Sequence, residues 1–126
     1  MTATETQFAQ HLSERRMPVE EREAVLANPG FGNFFTDHTA IVDFSVDESG
    51  VGGWHDARVE PYGPIALDPA AAVLHYGQEI FEGMKAYRHA DGSVWSFRPD
   101  ANGRRLQRSA RRLALDRKSE IGRAHV

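Results

Sequence analysis

Residues 75–106 of this chain read HYGQEIFEGMKAYRHADGSVWSFRPDANGRRL, and this stretch decides the fold class. The patterns of residues 81–88 and of residues 93–97 are typical of β-strands. The four residues between them end in Asp-Gly, which is a strong signal for a tight turn between paired strands. We therefore predict a β-hairpin over residues 81–97.

A helix is predicted directly after this hairpin. Pro99 is expected to end the second strand, and either Asp100 or Asn102 can cap the helix, because both side chains accept bonds from backbone N–H groups. Apolar residues then recur at the i, i+4 and i+7 positions that form one stripe: Leu106, Ala110 and Leu113. This stripe indicates the side of the helix that packs against the rest of the domain.

The first half of the chain predicts fewer and shorter elements. Residues 1–17 are polar and lack periodicity, which indicates a mobile leader. Pro18 suits the first turn of a helix over residues 19–27, and an Asn-Pro-Gly sequence then ends it. The other expected elements are a strand over 39–45, a turn over 47–53, and short strands over 54–59 and 65–67. Several short strands with few helices predict an α+β domain.

The composition limits the classes of protein to be considered. The 126 residues suffice for one domain, and a formal net charge of -3 argues against nucleic-acid binding over the whole surface. The absence of cysteine excludes disulfides and thiolate metal sites. No segment approaches the ~20 apolar residues of a membrane helix, and the N-terminal region shows no secretory signal. We therefore expect a soluble, cytoplasmic protein.

Residues 116–126 differ from everything before them. The DNA string GATCGGAAGAGC encodes the first four, Asp-Arg-Lys-Ser, in one reading frame. In a second frame, within GAGATCGGAAGAGCACACGTC, the same string encodes the remaining seven, Glu-Ile-Gly-Arg-Ala-His-Val. One oligonucleotide, which resembles a sequencing-library adapter, thus explains both halves. We expect residues 116–126 to be a non-native tail and the native sequence to continue differently after residue 115.

The blocks at residues 75–88 and 97–106 resemble the N-terminal half of branched-chain amino-acid aminotransferases, and the resemblance extends from residue 28 to residue 115. These are fold-type IV enzymes that use pyridoxal 5'-phosphate (PLP). The resemblance implies the small N-terminal domain of that fold, with a mixed or antiparallel sheet and flanking helices, here incomplete. It divides the chain into a leader with a short helix at residues 1–30 and a truncated domain at residues 31–115.

The same resemblance implies an activity and an assembly. Branched-chain amino-acid aminotransferases transfer an amino group reversibly between leucine, isoleucine or valine and 2-oxoglutarate. The branched-chain amino acids and the corresponding 2-oxo acids are therefore the expected small-molecule partners. A homodimer is the expected assembly of the complete protein.

Arg105 is the residue that the resemblance assigns to the phosphate group of the cofactor. A guanidinium and a helix N-terminus both neutralise phosphate, and Arg105 is expected about one turn into the predicted helix. The residues alone, without the resemblance, favour a solvated arginine on a basic helix face. That alternative stays open at this point.

The resemblance also assigns three aromatic residues to the substrate. Phe81 is expected to line the pocket for the branched side chain, and Tyr76 to reach the active site of the neighbouring subunit. Phe31 matches another pocket aromatic less closely. An apolar pocket discriminates weakly between side chains that differ by one methylene, which suits an enzyme for three related substrates. Without the resemblance, all three aromatics fit plain core residues.

Lys85 is the only lysine among residues 1–115, and enzymes of this kind bond their cofactor to a lysine. The resemblance places that lysine in a later segment, so no catalytic residue is expected in this chain and the chain alone is expected to be inactive. His75 and Glu79 have the i, i+4 spacing of metal ligands on a helix. A zinc site needs three or four ligands, and no metal is expected.

Other functions stay open from the sequence. Related lineages on the same fold act on D-amino acids or on aminodeoxychorismate. A nucleic-acid-binding module is the alternative from another class, since one predicted helix carries five arginines: Arg104, Arg105, Arg108, Arg111 and Arg112. They spread around the helix instead of forming one stripe, and the net charge is negative, so nucleic acid is not expected as a partner. A membrane is not expected either, since no segment approaches the ~20 apolar residues of a membrane helix.

Overall fold

The structure is a computed structural model that describes residues 7–115. The expected tail at residues 116–126 lies outside the described residues. The described chain divides into two units, one over residues 7–66 and one over residues 67–115. Helices and small sheets occur in both units, so the predicted α+β class is confirmed.

The first unit is built on a three-stranded mixed sheet with strand order β1-β3-β2. Strand β3 lies in the centre, antiparallel to β2 and parallel to β1. The elements of this unit are β1 (Ala9–Gln10), α1 (Val19–Ala27), β2 (His38–Val46) and β3 (Gly52–Pro61). The helix, both long strands and the turn between them agree with the sequence prediction. The predicted mobile leader is wrong for β1, whose residues pair with Arg58 and Val59.

The β2–β3 hairpin is stabilised at its turn and by one aromatic pair. The Asp47 carboxylate accepts hydrogen bonds from the Ser49 hydroxyl (2.6 Å) and from the backbone N–H of Val51 (2.9 Å). These bonds, the hydroxyl first, lower the pKa of Asp47. Phe44 and Trp54 are direct cross-strand partners with ring centroids 5.0 Å apart. Such pairs are the units that stabilise an antiparallel ladder.

The second unit contains the hairpin and helix that the sequence predicted. Its elements are α2 (Ala72–Tyr76), β4 (Ala86–Arg88), β5 (Val94–Ser96) and α3 (Pro99–Arg112). Strands β4 and β5 pair antiparallel, and the turn closes through a bond from His89 N–H to the Ser93 carbonyl. Gly92 adopts a φ of 84°, a conformation that glycine reaches without strain. The hairpin prediction is confirmed, although its strands are shorter than expected.

Three local predictions are wrong. Residues 81–85 are irregular, so the strand begins at Ala86 and the alternation of facing side chains does not apply before it. Residues 65–67 form no strand. Helix α3 begins at Pro99, whose fixed φ suits the first helical position, and neither Asp100 nor Asn102 caps it. The capping position is Arg98, with a φ of 50°.

Apolar burial in the described chain is small. Among residues 7–115 only Ala110, the middle of the predicted apolar stripe, is fully buried. Leu113 is partly exposed, and so are the large side chains of both hairpins, including Phe44, Trp54 and Trp95. Local hydrogen bonds and cross-strand pairs therefore stabilise each unit more than a common apolar core does. No helix between residues 7 and 115 is long and apolar enough to cross a membrane.

Candidate functional site

The most organised polar group in the second unit joins helix α3 to the irregular segment before β4. Arg105 donates from Nε to one oxygen of the Glu82 carboxylate (2.5 Å) and from Nη2 to the other. Two parallel charge-assisted bonds of this kind fix both the distance and the plane of a guanidinium. The two residues are 23 positions apart in sequence, so the pair is a tertiary contact.

Glu82 is held from more than one side. The Asn102 side-chain amide donates to a Glu82 carboxylate oxygen (2.9 Å) and to the Gly83 carbonyl (2.7 Å), and the Gly83 N–H donates back to the Glu82 carboxylate (3.1 Å). The Glu82 side chain is only 11% exposed, whereas that of Arg105 is 61% exposed. The arginine therefore reaches from a fixed carboxylate into solvent.

These contacts shift the acidity of Glu82. The pKa of Glu82 is lowered from 4.5 to about 2, and the hydrogen bond from the Arg105 guanidinium is the largest cause. Desolvation of the carboxylate opposes this shift, and the Asn102 amide adds to it. The same pairing raises the pKa of Arg105. The pair is thus charged throughout the neutral and mildly acidic range.

We expect Glu82 to stay ionised when an ordinary glutamate becomes protonated. Because its pKa is depressed, the contribution of this pair to stability is fully present above about pH 4.5 and is lost as the pH falls towards about 2. The measurement is an NMR titration of the Glu82 carboxyl carbon. In the Arg105→Ala variant its midpoint should move back towards 4.5. An unchanged midpoint would mean that Arg105 does not cause the shift.

The position of Arg105 differs from the prediction in one respect. Helix α3 begins at Pro99, so Arg105 lies six residues, or about 9 Å of helix rise, beyond the first helical residue. The N-terminal backbone N–H groups of α3 are thus about two turns away from Arg105. The guanidinium itself remains as a candidate anion site, without the assistance of the helix terminus that the sequence suggested.

Tyr76 and Phe81 lie in the same unit as Arg105. Tyr76 is the last residue of α2, where Gly77 ends the helix in the left-handed conformation (φ 57°). Phe81 lies in the irregular segment directly before Glu82. Both rings are open to solvent, 86% and 82% exposed respectively. The described residues thus enclose neither ring.

Phe31 belongs to the other unit and is 94% exposed. That unit also contains an open cavity of about 390 Å³ beside α1, lined among others by Leu26, Phe34, Phe35 and His38. None of the residues that the sequence assigns to a substrate or cofactor lines this cavity. The site residues and the cavity are therefore separate features.

Arg58 forms a second ionic cluster, on strand β3 of the first unit. It contacts the carboxylates of Asp43 (2.7 Å), Asp56 (2.8 Å) and Glu60 (3.1 Å). Asp43 is the largest cause of a raised Arg58 pKa. Three carboxylates bind Nε and Nη1 of this arginine, so its positive charge is already balanced by nearby acids. This cluster stabilises the β2–β3 ladder at its register shift between Ile41 and Asp43.

The other chemical groups that the sequence singled out do not assemble into a site. Lys85 is exposed on the irregular segment and forms no ion pair among the described residues. Within residues 7–115 no group of three or more side chains could hold a metal ion. On helix α3, Arg104 pairs with Asp100 (2.6 Å) and Arg105 with Glu82, so acids neutralise two of the five arginines.

Sequence comparison decides the family of this chain. It is 68% identical to the branched-chain-amino-acid aminotransferase of Mycolicibacterium smegmatis over 94 residues, which cover 75% of the chain and 24% of the relative. It is 53% identical to the enzyme of that name from Mycobacterium tuberculosis over 115 residues, 91% of the chain and 30% of the relative. By sequence, this chain belongs to the branched-chain-amino-acid aminotransferase family.

Other relatives agree with this assignment. A probable branched-chain-amino-acid aminotransferase of Streptomyces coelicolor is 57% identical over 95 residues, 75% of the chain and 25% of the relative. No protein-family model matches the chain. The chain spans between 24% and 30% of the length of these three relatives. Membership of the family confirms the resemblance on which Arg105, Tyr76, Phe81 and Phe31 were selected, while their individual roles stay predictions.

Glu82, the partner of Arg105, could not be identified from the sequence. No local signal connects Glu82 to a helix 23 residues later. Asn102 was read as a helix cap, and its side chain serves instead to hold Glu82.

Proposed function

We propose that this chain is the N-terminal part of a PLP-dependent branched-chain amino-acid aminotransferase. The observation that carries the proposal is its 68% identity to an enzyme of that name over three quarters of its length. The proposed reaction is the reversible transfer of an amino group between leucine, isoleucine or valine and 2-oxoglutarate. The proposed assembly is a homodimer in the cytoplasm. The term complete protein denotes residues 1–115 continued by the remainder that is expected from the relatives.

Arg105 is the residue of this chain that we propose for cofactor binding. Its guanidinium already binds an oxyanion, the Glu82 carboxylate, through two bonds, and much of its side chain remains exposed. This donor chemistry fits a phosphate group. When bound, PLP supplies an electron sink for chemistry at the α-carbon of an amino acid. The contribution of this chain is to bind and orient the phosphate end of the cofactor.

Phe81, Tyr76 and Phe31 are the residues that we propose for substrate binding. All three rings are exposed in the described chain, so they are free to contact a ligand or further protein. An aromatic wall would favour the branched aliphatic side chains through apolar burial, at about 25 cal/mol for each Å² removed from water. Glutamate, which must also enter the same site, gains less from such a wall.

The proposal predicts a substrate-dependent loss when Phe81 is truncated. In the complete protein, Phe81→Ala should lower kcat/KM for leucine and isoleucine by roughly tenfold or more, while glutamate is affected less. Phe97→Ala is a matched control, because Phe97 is similarly exposed (77%) and has no assigned role. Equal losses for leucine and glutamate would argue against a pocket role for Phe81.

Tyr76 allows a test of the proposed dimer. Leucine turnover should persist in a mixed dimer that pairs a Tyr76→Ala subunit with a subunit lacking the cofactor-bonding lysine. The only site that keeps its lysine is in the Tyr76→Ala subunit, and this site receives an intact tyrosine from the other subunit. When both changes are placed in one subunit, the remaining lysine faces a missing tyrosine, and turnover should fall. Equal activity of the two arrangements would show that Tyr76 does not act across the interface.

A further inference from the structure

We propose that Glu82 is a positioning residue, which holds one edge of the Arg105 guanidinium so that the opposite edge faces the cofactor phosphate. This inference rests on the proposed function, because it assigns a partner to the phosphate-binding residue. It adds an acidic residue, as the second residue of this chain after Arg105, to the cofactor site. Glu82 itself is not proposed to touch the cofactor.

The bonding pattern of Arg105 leaves a defined set of donors. A guanidinium has five N–H groups, one on Nε and two on each terminal nitrogen. Glu82 uses Nε and Nη2, which form the inner edge. The second N–H of Nη2 and one N–H of Nη1 form the outer edge, while the other N–H of Nη1 points back along the side chain. That edge presents two parallel donors, the arrangement that binds two phosphate oxygens together.

Glu82 has the properties of a fixed support. Its side chain is 11% exposed, and Asn102 and the Gly83 backbone hold the carboxylate in addition to Arg105. Arg105 by contrast is 61% exposed, and a long side chain in solvent loses rotamer freedom when it binds an anion. Because Glu82 has already fixed the side chain, part of that entropy loss is removed before the phosphate arrives.

The alternative is simple competition, and it predicts the opposite sign. A carboxylate near a phosphate repels it, so a competing Glu82 would weaken phosphate binding and its neutralisation would strengthen binding. If positioning dominates, neutralisation weakens binding, because Arg105 loses its charged partner. The sign of one affinity change therefore separates the two roles.

The experiment measures the affinity of the apo form of the complete protein for PLP and for pyridoxal, which lacks the phosphate. We expect Glu82→Gln to weaken PLP binding by roughly three- to tenfold and to leave pyridoxal binding nearly unchanged. Glu79→Gln is the matched control, since it removes the same charge three residues earlier from an exposed side chain that forms no ion pair among residues 7–115. It should leave both affinities unchanged.

A second variant protects the test against misfolding of the first. Asn102→Ala removes one support of Glu82 without changing any charge, and alanine has the higher helix propensity. It should cause a smaller loss, again confined to PLP. Far-UV circular dichroism shows whether each variant folds, and if Glu82→Gln does not, Asn102→Ala decides.

Three outcomes overturn the positioning role: tighter PLP binding in Glu82→Gln, no change in either variant, or equal losses for PLP and pyridoxal. Arg105→Ala separates these results from a failure of the proposed function. If Arg105→Ala weakens PLP binding while the Glu82 and Asn102 variants do not, only the positioning role is wrong. If Arg105→Ala itself leaves PLP binding unchanged, the cofactor assignment on which the inference rests is wrong.

Discussion

The 126-residue chain by itself should form no glutamate from leucine and 2-oxoglutarate. The proposed chemistry requires a lysine that bonds the cofactor, and the chain offers only Lys85 and, in the expected non-native tail, Lys118. Lys85 lies exposed on an irregular segment, without an ion pair among the described residues to position it. Leucine-dependent glutamate formation, followed by a coupled assay, measures this directly. The effect is expected to be complete, since transamination has no route without that bond.

The control for this prediction is the complete protein assayed under the same conditions, which should be active. Adding PLP to the 126-residue chain should produce no absorbance band of a lysine-bonded cofactor. Borohydride fixation of PLP on Lys85, together with turnover, would contradict the prediction. If Lys85 bonded the cofactor, the Lys85→Arg variant of the complete protein would also lose activity. We expect that variant to retain activity.

Arg105→Ala in the complete protein should weaken PLP binding by about ten- to a hundredfold. The reason is the loss of the charge-assisted bonds that its guanidinium donates to the phosphate. Because the phosphate is distant from the reacting carbon, the preference among leucine, isoleucine and valine should change little. Equilibrium titration of the apoprotein with PLP gives the affinity, and kcat/KM at saturating PLP gives the preference.

Arg104→Ala is a closely matched control for Arg105→Ala. The two arginines are neighbours on helix α3, and their side chains are 60% and 61% exposed. Arg104 pairs with Asp100 within the helix, an exposed i, i+4 pair of the kind that contributes little to stability. Its removal should leave PLP affinity unchanged. If both variants behaved alike in a folded protein, Arg105 would be a solvated helix residue and not a phosphate ligand.

Much of the fold was predictable because its signals are local. The Asp-Gly turn at residues 91–92 and the apolar stripe through Ala110 depend on residues that are only a few positions apart in sequence. The same holds for helix α1, which begins after Pro18 and ends near Asn28. The boundaries were less predictable: the strand after residue 81 starts only at Ala86, because nothing pairs with residues 81–85 in the sheet.

The candidate site was predictable only in part. The two sequence blocks pointed to Arg105, Tyr76 and Phe81 through their resemblance to a family that the comparisons confirm, and a less close match outside these blocks pointed to Phe31. The expected aid of a helix N-terminus to Arg105 was wrong, since the helix begins at Pro99 and Arg105 lies about two turns further on. An error of a few residues in a helix start thus changed the electrostatics assigned to the site.

The sequence by itself determined the α+β class, the hairpin, the helix that carries Arg105 and the family. Only the tertiary structure decided that the Arg105 guanidinium is held by Glu82, and that Asn102 supports this acid instead of capping a helix. The physical reason is distance along the chain. Local backbone preferences and apolar periodicity act over a few residues, whereas the Glu82–Arg105 pair joins residues 23 positions apart and forms only when the chain folds.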